Sequence, residues 1–345
     1  WKRRTMTEGK TQADNVCIAA IDIDGNGDLE FVVGAAWKPF DTKNAATLQY
    51  LKRGKSLDDE WTVHPIACDE PTVHRVRALD VDGDGKPEVV HVPLMGRDAT
   101  KEKNWMDGRP VRVMSYEVPA EPEKPENWKP TVLSDELHVC HNFAKSNFAG
   151  FGRKAPAILV GSYEGVNLVH PDKADGWKTI NLHPANQANP ASNRGSSEIK
   201  QSGDKLGVIA TVEPWHGNQV VVYTSGKSNA ENPISLTRHI VDEQLRWGHA
   251  VSFADLDGDG TEELVIGVRD DPNPKAGDKF AERRGVRVYK NTDGKGEKWE
   301  RFLLENGGVA VEDLAVADLD GDGKPDIVAV GRATGNCRIY WNRGK

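Results

Sequence analysis

The stretch AVADLDGDGKPDIVAV, residues 315–330, recurs along the chain. AAIDIDGNGDLEFVVG (19–34), RALDVDGDGKPEVVHV (77–92) and SFADLDGDGTEELVIG (252–267) are further copies. NFAGFGRKAPAILVG (147–161) aligns without a gap but has Asn147 in place of the first Asp, and IKQSGDKLGVIATV (199–212) is a shortened copy. Each copy is an acidic Gly-rich turn between two Val/Ile/Leu runs, the pattern of two strands joined by a hairpin. Fixed-period repetition is the mark of solenoids, propellers and arrays.

Two further elements recur with the motif, the first of them out of phase with it. One precedes it: WKRRTM at 1, WTVHPI at 61, WKPTVL at 128, WKTINL at 177, ISLTRHI at 234 and WERFLL at 299. The other follows it: LQYL, VRVMSY, VNLV, VVVYT, VRVYK and CRIYW. Six units of about 57 residues with four short strands each predict an all-β fold, a β-propeller of six four-stranded blades. A seventh blade would need a further unit that the sequence does not show. The chain opens on an outer strand and ends on a third strand, so the N-terminal strand is expected to close the ring and remove its free edges. Residues 1–345 are read as a single domain.

These units resemble the FG-GAP/VCBS-type repeat propellers over essentially the whole chain. The combination of the acidic repeats, the histidines His74, His141 and His249 six residues upstream of the motif start, and EPWHG (213–217) before VVVY (220–223) also resembles the propeller part of the aldos-2-ulose dehydratases (1,5-anhydrofructose dehydratases). That second resemblance implies elimination of water, or of an alkoxide, from a keto sugar.

In the four good copies, oxygen ligands fall at loop positions 1, 3, 5 and 9: Asp22, Asp24, Asn26 and Glu30; Asp80, Asp82, Asp84 and Glu88; Asp255, Asp257, Asp259 and Glu263; Asp318, Asp320, Asp322 and Asp326. Clustered hard oxygens on a tight turn suit structural Ca²⁺. About four such ions would cancel the formal net charge of −8. The third blade, with Asn147, Ala149 and Phe151, lacks the ligands. A solvated Asp-Gly turn without metal is the alternative.

Counting six residues back from the first Asp of each motif gives His74, His249 and Glu312, and from Asn147 it gives His141. Inner strands line a propeller's channel, so these positions are expected to form a ring at the rim opposite the acidic turns. Three imidazoles and a carboxylate suit a transition metal such as Zn²⁺, Mn²⁺ or Fe²⁺ with an open position. Service only as hydrogen-bonding groups in a polar channel is the competing role. Second-strand ends add Trp37, Arg97, Tyr163, Trp215, His216, Arg269, Asp271 and Arg332, and Arg75 follows the ring position directly. His216, Tyr163, Arg75 and Glu312 are the candidate catalytic groups; Trp37, Arg97, Trp215, Arg269, Asp271 and Arg332 are candidate substrate contacts.

The negative charge argues against general nucleic-acid binding. No run is long and apolar enough for a membrane span, and no GxSxG, Walker loop, GxGxxG or HExxH occurs. The four cysteines have no metal-ligand spacing; they can form two disulfides in three connectivities or stay buried and free, and the apolar runs around Cys17 and Cys140 favour the latter. The resulting expectation is a secreted or periplasmic, monomeric, metal-dependent lyase acting on carbohydrate. A non-catalytic glycan- or protein-binding propeller, and a glycoside hydrolase or epimerase using the same pocket, are the alternatives.

Overall fold

The structure is a computed structural model that describes residues 4–146, 148, 157–172, 176–226, 234–269 and 284–344. Its strands pair as six antiparallel sheets. The first holds β1 (Cys17–Ile21), β2 (Glu30–Ala35), β3 (Thr47–Lys52) and β4 (Thr62–Ile66); the second β5 (Val73–Leu79), β6 (Glu88–Pro93), β7 (Val111–Tyr116) and β8 (Pro130–Leu137). The third holds β9 (Asn142–Lys145), β10 (Ile158–Ser162), β11 (Gly165–Pro171) and β12 (Trp177–His183). Next come β13 (Ile199–Gln201), β14 (Ile209–Glu213), β15 (Gln219–Ser225) and β16 (Leu236–Asp242), then β17 (Gly248–Ala254), β18 (Glu263–Val268), β19 (Gly285–Asn291) and β20 (Trp299–Leu303). The sixth sheet has three strands among the described residues, β21 (Val311–Ala317), β22 (Asp326–Gly331) and β23 (Asn336–Tyr340).

The fold class is therefore the all-β, six-bladed propeller. Of the expected closing strand, Trp1–Arg3 lie outside the described residues. Arg4–Thr7 belong to no strand, and the Met6 carbonyl accepts the Trp61 backbone N–H at 2.8 Å. No helix among the described residues is long and apolar enough to cross a membrane.

The chain divides into two compact units. Residues 1–143, 148–158 and 168–180 form the first, and residues 144–147, 159–167 and 181–345 the second. In the first, Val32, Leu48, Tyr50, Val73, Val89 and Tyr116 belong to one buried cluster. In the second, the fourth and fifth sheets share a cluster that includes Ala210, Val212, Val222, Leu264 and Tyr289. Second strands such as β6 and β18 are buried on both faces, which is why they read as unbroken apolar runs rather than alternating ones. The last residue of two motif copies is glycine for a packing reason. A Cβ on Gly34 would lie 2.6 Å from Val73 Cγ1, and one on Gly267 2.4 Å from Val311 Cγ1. Tryptophans at or just before the outer strands bury their indoles wholly or in part, and two of them find a backbone acceptor. Trp128 Nε1 donates to the Pro122 carbonyl and Trp299 Nε1 to that of Gly296, both at 2.9 Å.

All four cysteines are unbridged. Cys140 is buried and Cys17 and Cys68 half-buried, but Cys337 is exposed, contrary to the expectation of burial.

Candidate functional site

The ring positions share a local distortion that the sequence does not announce. Pairing of β5 with β6 skips His74, that of β17 with β18 skips His249, and that of β21 with β22 skips Glu312. Each is the extra residue of a β-bulge, a device that re-aims one side chain out of the pleat. Two residues upstream of His74, His141 and His249, the backbone is left-handed: Thr72 has φ 48°, Val139 48° and Trp247 58°. Positive φ is costly for a β-branched residue, and such outliers gather where function over-determines the backbone. Gly195 takes φ 68° at the start of the fourth repeat and assigns Ser197 to the ring position that alignment cannot fix.

A second regularity is a hydrogen bond. In the first unit His74 Nδ1 lies 2.9 Å from the His141 carbonyl, with the two rings 4.5 Å apart. In the second unit His249 Nδ1 lies 2.6 Å from the Glu312 carbonyl. A carbonyl only accepts, so Nδ1 is the donor, and in the neutral imidazole Nε2 keeps its lone pair. A backbone carbonyl held against Nδ1 in this way fixes the orientation of an imidazole whose other nitrogen binds a metal or accepts a proton.

The second unit assembles further groups around His249. His216 sits in the turn between β14 and β15 at φ 51°, its ring 4.8 Å from that of His249. A ring nitrogen of each lies within 4.8 Å of one on the other. Trp215 stacks on His216 at 3.9 Å and 19°, and Tyr163 meets Trp215 edge-on at 6.2 Å. Arg269 donates to both Glu312 oxygens, at 3.0 and 3.1 Å, and its guanidinium lies over the Trp247 ring. The same Nη1 is 3.5 Å from His249 Nε2. Arg332 approaches Glu312 Oε1 at 3.6 Å.

Glu312 thus enters the site as the partner of Arg269, and service as a ligand would require that pair to open. Tyr163 is 2% exposed and supports Trp215; burial pushes its hydroxyl up to about 12, so it stays protonated at neutral pH. Asp271 lies outside the described residues. In the first unit Trp37 stands 5.3 Å from His74. Arg75 is buried, near enough to Cys17 to act on its thiol electrostatically. Arg97 ties loops together, donating to the Lys43 carbonyl at 2.8 Å and to Asp69 at 3.1 Å. That engagement makes it a structural clasp rather than a free substrate contact.

One group, Trp247, escapes the sequence reading, whereas Glu213 stands in it at the end of a second strand, beside Trp215 and His216. Trp247 is hidden in RWGH, where nothing marks it as kinked. Glu213 is fully buried and accepts from Arg238 Nε and Nη2 at 2.9 and 2.7 Å, from Thr211 and from Tyr223. It anchors the strand end from which Trp215 and His216 project.

The acidic turns are built alike. Asp80 accepts from Gly83 N and Gly85 N at 2.7 and 3.0 Å, and Asp318 from Gly321 N and Gly323 N at 2.8 and 2.9 Å. The position-nine carboxylate reaches back to the second loop residue: Glu30 to Ile23 N, Glu88 to Val81 N, Glu263 to Leu256 N and Asp326 to Leu319 N. In each turn three carboxylates converge, with Asp22, Asp24 and Glu30 in the first and Asp255, Asp257 and Asp259 in the third. Burial, helped by Asp82, Asp80 and Asp84, pushes Glu88 up to about 7. Asn147, Ala149 and Phe151 of the worn turn lie outside the described residues.

Repeats of this form on a propeller define an FG-GAP-type protein, and the chain matches the FG-GAP-like repeat at residues 280–329. It also matches the aldos-2-ulose dehydratase beta-propeller domain over residues 46–226, more than half its length, and belongs to that family. It is 26% identical over 300 residues to the aldos-2-ulose dehydratase of Phanerodontia chrysosporium, covering 82% of this chain. The chain spans only 31% of that relative's length. Among solved structures, a lectin of Agrocybe aegerita that recognises non-reducing terminal N-acetylglucosamine has a TM-score of 0.54 at 14% identity. That match covers 96% of this chain and 78% of the lectin chain. At that identity the likeness is one of fold.

Proposed function

We propose that this chain is the propeller of a metal-dependent carbon–oxygen lyase that removes water from a keto sugar. The observation that carries the reading is the His249 site: a bulged histidine with Nδ1 tied to a carbonyl, beside His216, Arg269 and two indoles. Family membership supplies the substrate class, and the donor set fits a borderline transition metal such as Zn²⁺, Mn²⁺ or Fe²⁺. Within the second unit, His249 and His216 would hold it, their ring nitrogens lying within 4.8 Å of each other. The metal's contribution would be Lewis-acid polarisation of the substrate carbonyl.

The carbon next to the carbonyl gives up its proton. The carbon–oxygen bond one carbon further breaks, a carbon–carbon double bond forms, and the proton leaves with hydroxide as water. Arg269, held by Glu312, and Arg332 bind substrate oxygens, while Trp215 and Trp247 offer faces for the sugar's C–H groups. The acidic turns are proposed to hold Ca²⁺ in a structural role.

The test combines metal analysis of the purified chain with turnover of 1,5-anhydrofructose, followed by the ultraviolet absorbance of the conjugated enone. His249→Ala should remove the transition metal and lower turnover at least about a hundredfold, with the melting temperature shift on adding calcium preserved. A chain that binds no transition metal and leaves the keto sugar intact would be a non-catalytic propeller instead. Release of free sugar from a glycoside, or inversion of a carbon centre, would favour the hydrolase or epimerase alternative.

A further inference from the structure

In the first unit, the loop between β2 and β3 places Phe40 outward, 61% exposed, with its ring on that of Trp105 from the β6–β7 loop. The rings are 5.2 Å apart and only 11° from parallel. Neither residue belongs to the histidine sites. Both are held at positive φ, 69° for Phe40 and 62° for Trp105, which bulky residues adopt only under constraint.

The constraint is visible. Asp98 N donates to the Thr42 carbonyl at 3.0 Å, and Thr42 Oγ1 to that of Ala99 at 2.9 Å. Arg97 adds its bond to the Lys43 carbonyl. Asp107 braces the far side through Thr100 N and Oγ1, both at 2.6 Å. An exposed phenyl ring fixed in this way is presented rather than merely tolerated.

The surroundings specify the occupant. Lys38 and Asp41, on either side of Phe40 in the chain, line a hollow of about 60 Å³ together with Asn44 and Thr72. Asn44 side-chain and backbone N–H groups donate to Asp41 and hold its carboxyl below the usual range, so it accepts hydrogen bonds at neutral pH. The loop thus presents one exposed apolar ring, with a lysine and a carboxylate within two residues of it in the chain. A protein partner would need several hundred Å² of contiguous apolar and polar surface. A pyranose has an apolar face and a hydroxylated rim.

We infer that Phe40, backed by Trp105, is a sugar-stacking platform that binds one neutral pyranose unit of an oligosaccharide, separate from the histidine site. The choice of a sugar rests partly on the carbohydrate reading above. The platform itself rests on Phe40, Trp105 and their loops.

Isothermal titration of the full chain with cellohexaose and maltohexaose, with adenosine as a flat-ring control, tests it. At least one hexaose should bind, and Phe40→Ala should weaken it about tenfold, or about 1.4 kcal/mol. Phe40→Tyr should restore affinity, and His249→Ala should leave hexaose affinity unchanged. Phe40 is exposed, so the alanine variant should melt with the wild type. Equal affinity of Phe40→Ala and wild type, binding of neither hexaose, or binding of adenosine in preference to both would overturn the proposal. Phe40-dependent hexaose binding without turnover of 1,5-anhydrofructose would uphold the platform and sink the lyase. Turnover without Phe40-dependent binding would do the reverse.

Discussion

His91 on β6 is wholly buried, facing Tyr116 at 6.4 Å with the Arg112 charge nearby. Burial, reinforced by that arginine, lowers its imidazole from 6.5 to about 3. The fold therefore holds it neutral, while the unfolded chain takes up a proton below about 6.5. Its contribution to stability is complete above that pH and is lost progressively as pH falls towards 3. The slope is about 1.4 kcal/mol per pH unit inside the window. Denaturant melts of His91→Phe between pH 6.5 and 4 should show a slope smaller by about that amount. An unchanged slope would place the acid sensitivity in the carboxylates. Position 91 reads in the sequence as one more residue of an apolar strand, and only its depth gives it this role.

At the scale of the element, the acidic turn is the most legible piece of the chain. Its spacing is dictated by a backbone bend that needs glycine and by carboxylates accepting N–H groups at fixed offsets, as Asp318 does from Gly321 and Gly323. Asp320→Ala removes a convergent carboxylate but leaves those backbone bonds in place. It should lower the melting temperature in calcium by a few degrees and leave it nearly unchanged in excess chelator. Equal loss in both conditions would make Asp320 a structural residue of an ion-free turn. The opposite end of the inner strands is less legible. Counting residues finds His74, His249 and Glu312, but the bulges that aim them are properties of cross-strand hydrogen bonding. His216 is legible at the end of a second strand, in EPWHG, but its placement against the His249 ring is not, and Trp247 takes a positive φ that its side chain does not encode.

For the whole molecule, six repeats made the sheets readable because every unit states the same pattern, while the site draws on positions that differ between units. The net charge of −8 is concentrated in turns that each gather three carboxylates. Ions bound only by the folded chain stabilise it by mass action, about 2.7 kcal/mol for a site at a hundredfold excess over its Kd. Excess chelator should therefore lower the melting temperature by more than any single-turn substitution does. A melting curve indifferent to chelator, in a protein purified without calcium, would remove the ions from the account.

The third turn, like the fourth with Lys324 on Asp322 and Arg343 on Asp320, carries a cation of the chain on its carboxylates. The Lys290 ammonium rests on Asp257 and on Asp259, the latter at 2.9 Å, and is 3.8 Å from Glu263. In the second turn, no ion pair among the described residues involves Asp80, Asp82, Asp84 or Glu88. A tethered ammonium competes with any divalent ion for the same oxygens and never diffuses away. Loading would then be staggered, with the second turn filling at calcium levels that leave the third to its lysine, so scarcity would strip the propeller blade by blade rather than all at once.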